Sequence, residues 1–236
     1  MIKYIYCTIA VGEKYYKSAI SFAKTLNEKS KNHHVLIVTD GNIQDIKNVT
    51  FIKFNSNETT RIKNYFNYNL KYIPVLESSK LNYEFVLFFD ADWSLYNGYS
   101  EDKLISFLNS LKNSNLDFIY ERPHSIGASK RDLKNCFWQH KIEPYGLNKT
   151  NVYDNGQVVN EQFMVFKNNQ KLKVFANKWK ERNDFGVKND IWAFAEGVEI
   201  GMSAVDAKMN MDWKKMFELR EFFSFVANTG VTHIRF

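Results

Sequence analysis

The chain has 236 residues, a formal net charge of +6 and two cysteines. That length supports a full-sized core, and 20 Phe with 13 Tyr exclude a disordered chain. Two cysteines exclude a disulfide framework, and no apolar run approaches the ~18 residues of a spanning helix.

The modest positive charge reads first as ordinary surface composition. Its functional reading is attraction to an anionic partner, either a phosphorylated donor or a nucleic acid. Cys7 sits in an apolar run and reads as a small core residue, and a reducing, cytoplasmic setting is expected. Met1 to Val11 lacks a small-residue cleavage pattern, so it is not read as a signal peptide.

The first element is a strand over Lys3–Ala10. Helical spacing follows over 13–28, with Tyr16, Ala19, Ile20, Ala23 and Leu26 on one face. Val35–Thr39 is a short β-branched strand, closed by the turn chemistry of Asp40-Gly41-Asn42. Val49–Phe54 reads as a third strand. Thr59–Ser79 is helical in composition, with a break or kink expected at Pro74.

Phe85–Phe89 is a continuous apolar run, the pattern of a strand buried on both faces. Ser100–Leu111 reads as a helix capped by Ser100, and Leu116–Tyr120 as a further strand. The pattern then dissolves from Arg122 to Val159. Order returns with a strand at Gln162–Phe166, helices at Leu172–Lys180 and Ile191–Lys208, and a β-like end at Val231–Phe236. This alternation predicts an α/β domain with a largely parallel sheet covered by helices.

The chemistry concentrates where the apolar run stops, at Asp90-Ala91-Asp92. A bare D-x-D is also a favoured turn, but ligand sites in open α/β sheets lie beyond the carboxyl ends of buried strands. Paired carboxylates there are the hard oxygen ligands that Mg²⁺ or Mn²⁺ requires while holding a substrate diphosphate. Lys71, with Arg61 and Lys63 as competitors, offers a cation to offset diphosphate charge. Glu196 and Glu199 lie three apart and share a helix face, where an acid would contact acceptor hydroxyls or act as a general base.

The run Leu81–Trp93 resembles the D-x-D strand of the GT-A class of nucleotide-sugar glycosyltransferases, glycogenin-like enzymes among them. The resemblance implies a GT-A-like, Rossmann-type mixed sheet with a C-terminal acceptor-side lobe. It divides one domain, 1–236, into a nucleotide-binding half (1–121) and an acceptor-side half (122–236). It further implies a donor site built from Thr8, Ala10, Val11, Asp40, Lys71, Asp90, Ala91 and Asp92. His233 falls where the class often supplies a third metal ligand, and such a mixed set suits Mn²⁺ somewhat better than Mg²⁺. Glu161 and Gln162 fall on the sugar side, and Glu196 is an acid for the acceptor.

The expected activity is therefore transfer of a sugar from a nucleotide-diphosphate sugar, a UDP-sugar foremost, to a glycan, lipid-linked or other hydroxyl acceptor. One alternative uses D-x-D as a phosphatase or phosphotransferase nucleophile pair, but Trp93 follows and no later Asp-Asp pair appears. Another is a non-enzymatic carbohydrate or nucleic-acid binding module, and a hybrid is a sugar transferase with a nucleic-acid acceptor.

Overall fold

The structure is a computed structural model that describes residues 2–55, 61–62, 65–95, 99–120, 159, 162–188, 196–212 and 223–225. Its first strand, β1 (Tyr4–Ala10), is buried at every position. Helix α1 (Glu13–Lys29) leads to β2 (Val35–Thr39), and β3 (Val49–Lys53) follows. All three strands run parallel, and β1 also pairs in parallel with β6 (Phe85–Phe89) on its other side.

The segment expected as one helix over 59–79 is largely different. Arg61–Ile62 (β4) and Tyr65–Phe66 (β5) form a small antiparallel ladder. A 3₁₀ turn at Tyr68–Lys71 then opens α2 (Tyr72–Ser79). Pro74 neither breaks nor kinks this helix, because it lies in the first turn, where the missing N–H has no intrahelical acceptor.

Two short strands flank the next helix. The first, β7 (Trp93–Leu95), precedes α3 (Glu101–Lys112), and β8 (Phe118–Tyr120) follows it. Ser100 caps α3 as expected, its Oγ accepting from Lys103 N–H at 3.4 Å. Then come β9 (Phe163–Lys167), α4 (Gln170–Lys188), α5 (Glu196–Asp206), β10 (Met211–Asp212) and β11 (Phe223–Phe225).

The main sheet has seven strands in the order β10-β8-β9-β6-β1-β2-β3, and β9 alone runs antiparallel to its neighbours. Alternation along β1 divides the core. Tyr4, Tyr6 and Ala10 join α1 and α3 on one face. Ile5, Cys7 and Ile9 join α2, α4 and α5 on the other. The result is a mixed α/β protein with a mostly parallel sheet between two helical layers. Among the described residues no helix is long and apolar enough to cross a membrane. Cys7 is a buried free thiol, pushed up to about 12 by loss of hydration, in keeping with a core role. Cys136 and the expected strand at 231–236 lie outside the described residues.

A carboxylate ties α3 to the amino-terminal end of the sheet. Glu101 accepts from Tyr4 Oη at 2.8 Å, Ser30 Oγ at 2.6 Å, Lys31 N–H at 2.9 Å and Asn32 N–H at 3.0 Å. Burial works against its charge, but these donors outweigh burial and hold the carboxyl below its usual range. A folded-state value below the unfolded one contributes stability that is present above about pH 4.3 and lost as pH falls through the folded value. Replacing Glu101 by Ala is expected to cost about 2–3 kcal/mol in urea unfolding at pH 7, since several donors lose a charged acceptor. The same Glu101→Ala substitution should flatten the acid limb of the stability curve, and an unchanged limb would show the anchor contributes nothing.

Candidate functional site

The site begins with topology. From β1 the chain builds outward through β2 and β3, then returns to place β6 on the opposite side of β1. In open α/β sheets such a reversal is where ligand crevices lie, beyond the carboxyl ends of the two central strands. β1 ends there at Ala10 and β6 at Phe89; the antiparallel β9 contributes its amino end, with Phe163 opposite Phe89.

Asp90, Ala91 and Asp92 follow β6 at this edge. They form a tight turn, closed by Trp93 N–H donating to the Asp90 carbonyl at 2.9 Å. The turn hands the chain directly to β7. Trp93 stacks on Phe163 with ring centroids 5.6 Å apart, which fixes the far side of the turn against the sheet. Asp90 N–H donates to the Gln162 carbonyl at 2.9 Å, so Gln162 is joined to the acidic turn through its backbone.

Lys71 is brought to the same place. Its Nζ lies 2.8 Å from Asp90 Oδ1, and both side chains are largely shielded, at 7% and 20% exposure. It stands at the N-cap of α2, as the last residue of the 3₁₀ turn, rather than on the helix as the sequence implied. That turn is pinned from α4, where the buried Asn67 donates through Nδ2 to Oδ1 of the buried Asn183 at 2.8 Å. The lysine is thus held by a rigid scaffold.

Asp92 is half-buried. Burial raises its carboxyl above the ordinary range, more than its own backbone N–H and the charges of Lys71 and Lys14 offset. The turn therefore presents one carboxylate matched by an ammonium and a second whose charge is only partly compensated.

The β1 side of the crevice is shaped by the first loop. Gly12 adopts φ 89° and ψ 150°, a region essentially restricted to glycine. Its N–H donates to Asp40 Oδ1 at 2.9 Å, linking the ends of β1 and β2. Thr39 Oγ1 donates to the Ala10 carbonyl at 2.7 Å and accepts from Gly41 N–H at 3.0 Å. Lys53 Nζ donates to the carbonyls of Asp40 and Gly41, each at 2.7 Å. Gly41 lies against Tyr16, where a Cβ would come within 2.7 Å of the ring. Asp40 thus acts as a loop fastener through one oxygen.

Of the other sequence-derived candidates, Val11 is half-buried at this edge. Ala10 and Ala91 are buried. Thr8 is fully buried within β1, and its hydroxyl has no hydrogen-bond partner among the described residues. Glu196 opens α5, and its side chain lies outside what the structure describes. Glu199, one turn on, is buried. Glu161, His233 and Lys63 lie outside the described residues, as does the excursion at 122–158.

The sequence did not signal the ribbon beside the turn. β11 pairs antiparallel with β7, Phe225 opposite Trp93, so its carboxyl end is the one nearest Asp92. Two-stranded pairing between three-residue segments leaves no local pattern to read. Among the described residues no group of three or more His, Cys, Asp or Glu side chains is placed to hold a metal. No protein-family model matches this chain, and neither does any curated protein.

A carboxyl whose folded value is raised pays a penalty for ionising in the native state, absent well below about pH 3.9 and fully present above the folded value. Asp92→Asn is therefore expected to raise the melting temperature at pH 7, with the gain shrinking toward zero below about pH 4. A melting temperature that stays the same or falls at pH 7 would show that the carboxylate is not held at a cost.

Proposed function

We propose that this chain is a metal-dependent glycosyltransferase of the GT-A class, moving a sugar from a nucleotide-diphosphate sugar, a UDP-sugar foremost, to an acceptor hydroxyl. One observation carries the reading: the Asp90–Asp92 turn projects at the carboxyl end of β6, beside β1, where the strand order reverses.

The donor set fits a divalent cation in part. Two carboxylates share one turn, and Asp92 is a desolvated anion whose environment a bound cation would relieve. On this reading Asp90 and Asp92 hold Mn²⁺ or Mg²⁺, and His233, which follows β11, is the candidate for a further ligand. When bound, the ion supplies Lewis-acid stabilisation of the departing nucleoside diphosphate.

The chain's own residues do the rest. Lys71 orients Asp90 and adds a fixed positive charge in a shielded setting, where charge stabilisation is stronger than in water. Gly12 and Asp40 hold the β1 and β2 loops together, and on this reading the nucleotide lies against these fastened loops. Gln162, fastened to Asp90, is assigned with Glu161 to the sugar, and Glu196 to the acceptor side. The acceptor-side half, 122–236, receives the hydroxyl substrate, whether glycan, lipid-linked or other.

A thermal-shift panel of nucleotide sugars with and without Mn²⁺ tests the donor. At a hundredfold excess over its dissociation constant, a true donor stabilises the folded chain by about 2.7 kcal/mol. That shift is expected only with metal present. Asp92→Ala is expected to abolish metal-dependent transfer while leaving the fold intact; full activity in that variant refutes the assignment.

A further inference from the structure

We propose that Lys71 couples the binding of metal and diphosphate: its ammonium competes with a divalent cation for Asp90, so the cation binds weakly alone and tightly only together with a diphosphate. The inference rests on the glycosyltransferase reading and adds to it the way the site is loaded.

Contact comes first. Lys71 Nζ sits 2.8 Å from Asp90 Oδ1, and both side chains are largely shielded. Shielded pairs are screened little by salt. Asp90 is therefore matched by a positive charge before any metal arrives.

Both partners are fixed from behind. Asp90 is held through its backbone, its N–H donating to the Gln162 carbonyl and its carbonyl accepting from Trp93 N–H, each at 2.9 Å. Lys71 stands between Leu70 and Tyr72, which are both buried in the core. The turn that carries it is fastened by Asn67 to Asn183 at 2.8 Å. Drawing Asp90 away from Lys71 would leave a shielded ammonium without its carboxylate, a costly state unless another anion takes that place.

The setting of the ammonium selects for that anion. Lys71 is the N-cap residue of α2, at the positive end of the helix dipole, and no acidic residue stands in the first turn of α2 to answer it. Ammonium and helix end together oppose a cation that approaches Asp90 by itself. Diphosphate oxygens give Lys71 a new charged acceptor, and Asp90 is then released to the metal. Such coupling is reciprocal, each ligand raising the affinity of the other by the same factor.

The test titrates Mn²⁺ alone, and inorganic pyrophosphate at saturating Mn²⁺, into the wild-type chain, Lys71→Gln and Lys71→Arg. Glutamine keeps an N–H donor for Asp90 without the charge. Lys71→Gln is expected to bind Mn²⁺ alone about tenfold more tightly and pyrophosphate about tenfold more weakly. Lys71→Arg keeps the charge, and its Mn²⁺ affinity should stay within about threefold of wild type. General loosening of the site would weaken both ligands, so the opposite signs separate coupling from a structural role. Absence of either change in Lys71→Gln overturns the role of Lys71 and leaves the donor reading standing. The wild-type chain gives a check that needs no variant to fold. Its Mn²⁺ affinity, corrected for complexation in solution, should be about tenfold higher at saturating pyrophosphate than without it. Equal affinities overturn the coupling. A wild-type chain that binds no pyrophosphate with Mn²⁺ overturns both the coupling and the donor reading.

Discussion

The parallel pairing of β1 with β6 is the constraint on which the rest of the structure hangs. The strand order reverses between them, so among the described residues no crossover helix links the two strands directly over their shared carboxyl edge. Apart from Lys71, which a 3₁₀ turn delivers, the polar groups described at the site are placed by one of these two strands or an immediate neighbour. Asp90 and Asp92 follow β6, Gly12 follows β1, Asp40 follows β2, and Gln162 precedes β9. The apolar strands fix position, and the turns beyond them carry the chemistry.

The energetic character of the edge differs from that of the core. Elsewhere, two polar anchors are well matched: Glu101 meets four donors, and Asn67 meets Asn183. At the edge the matching is unequal. Asp90 has a close ammonium, whereas Asp92 is desolvated with only partial relief. Opposite charges are held near one another without being allowed to annul, a state that an incoming polar ligand would relax. Asn67 and Asn183 fasten the turn that delivers Lys71, so α4 contributes to the site through that turn.

Much of this was legible from the chain alone, for reasons that can be named. Phe85–Phe89 is buried on both faces, and only a central strand of a helix-covered sheet shows such a run. Ser100 announced its helix through a cap that depends on near neighbours only. What escaped was non-local. The antiparallel sense of β9 is set by its partners, and β7, β10 and β11 are too short to carry a period. α4 overruns its expected end at Lys180 to Lys188, because Asn183 and Gly186 are buried against neighbouring structure, and packing outweighs the poor helix propensity of glycine. Lys71 was recognisable as a cation near the acidic pair, but its position at a helix start depended on a 3₁₀ turn that composition did not reveal.

The β7–β11 ribbon bears on the order in which the molecule is completed. Its two strands are remote in sequence, and pairings of that kind must overcome loop-closure entropy before they are rewarded. During synthesis β1, β2, β3 and β6 are all available to associate long before Phe223–Phe225 leaves the ribosome. The acidic turn therefore exists early but gains its neighbour last. A nascent chain would carry a nearly finished sheet with an unfinished edge, so maturation of that edge is timed by the emergence of the most distal of the described strands.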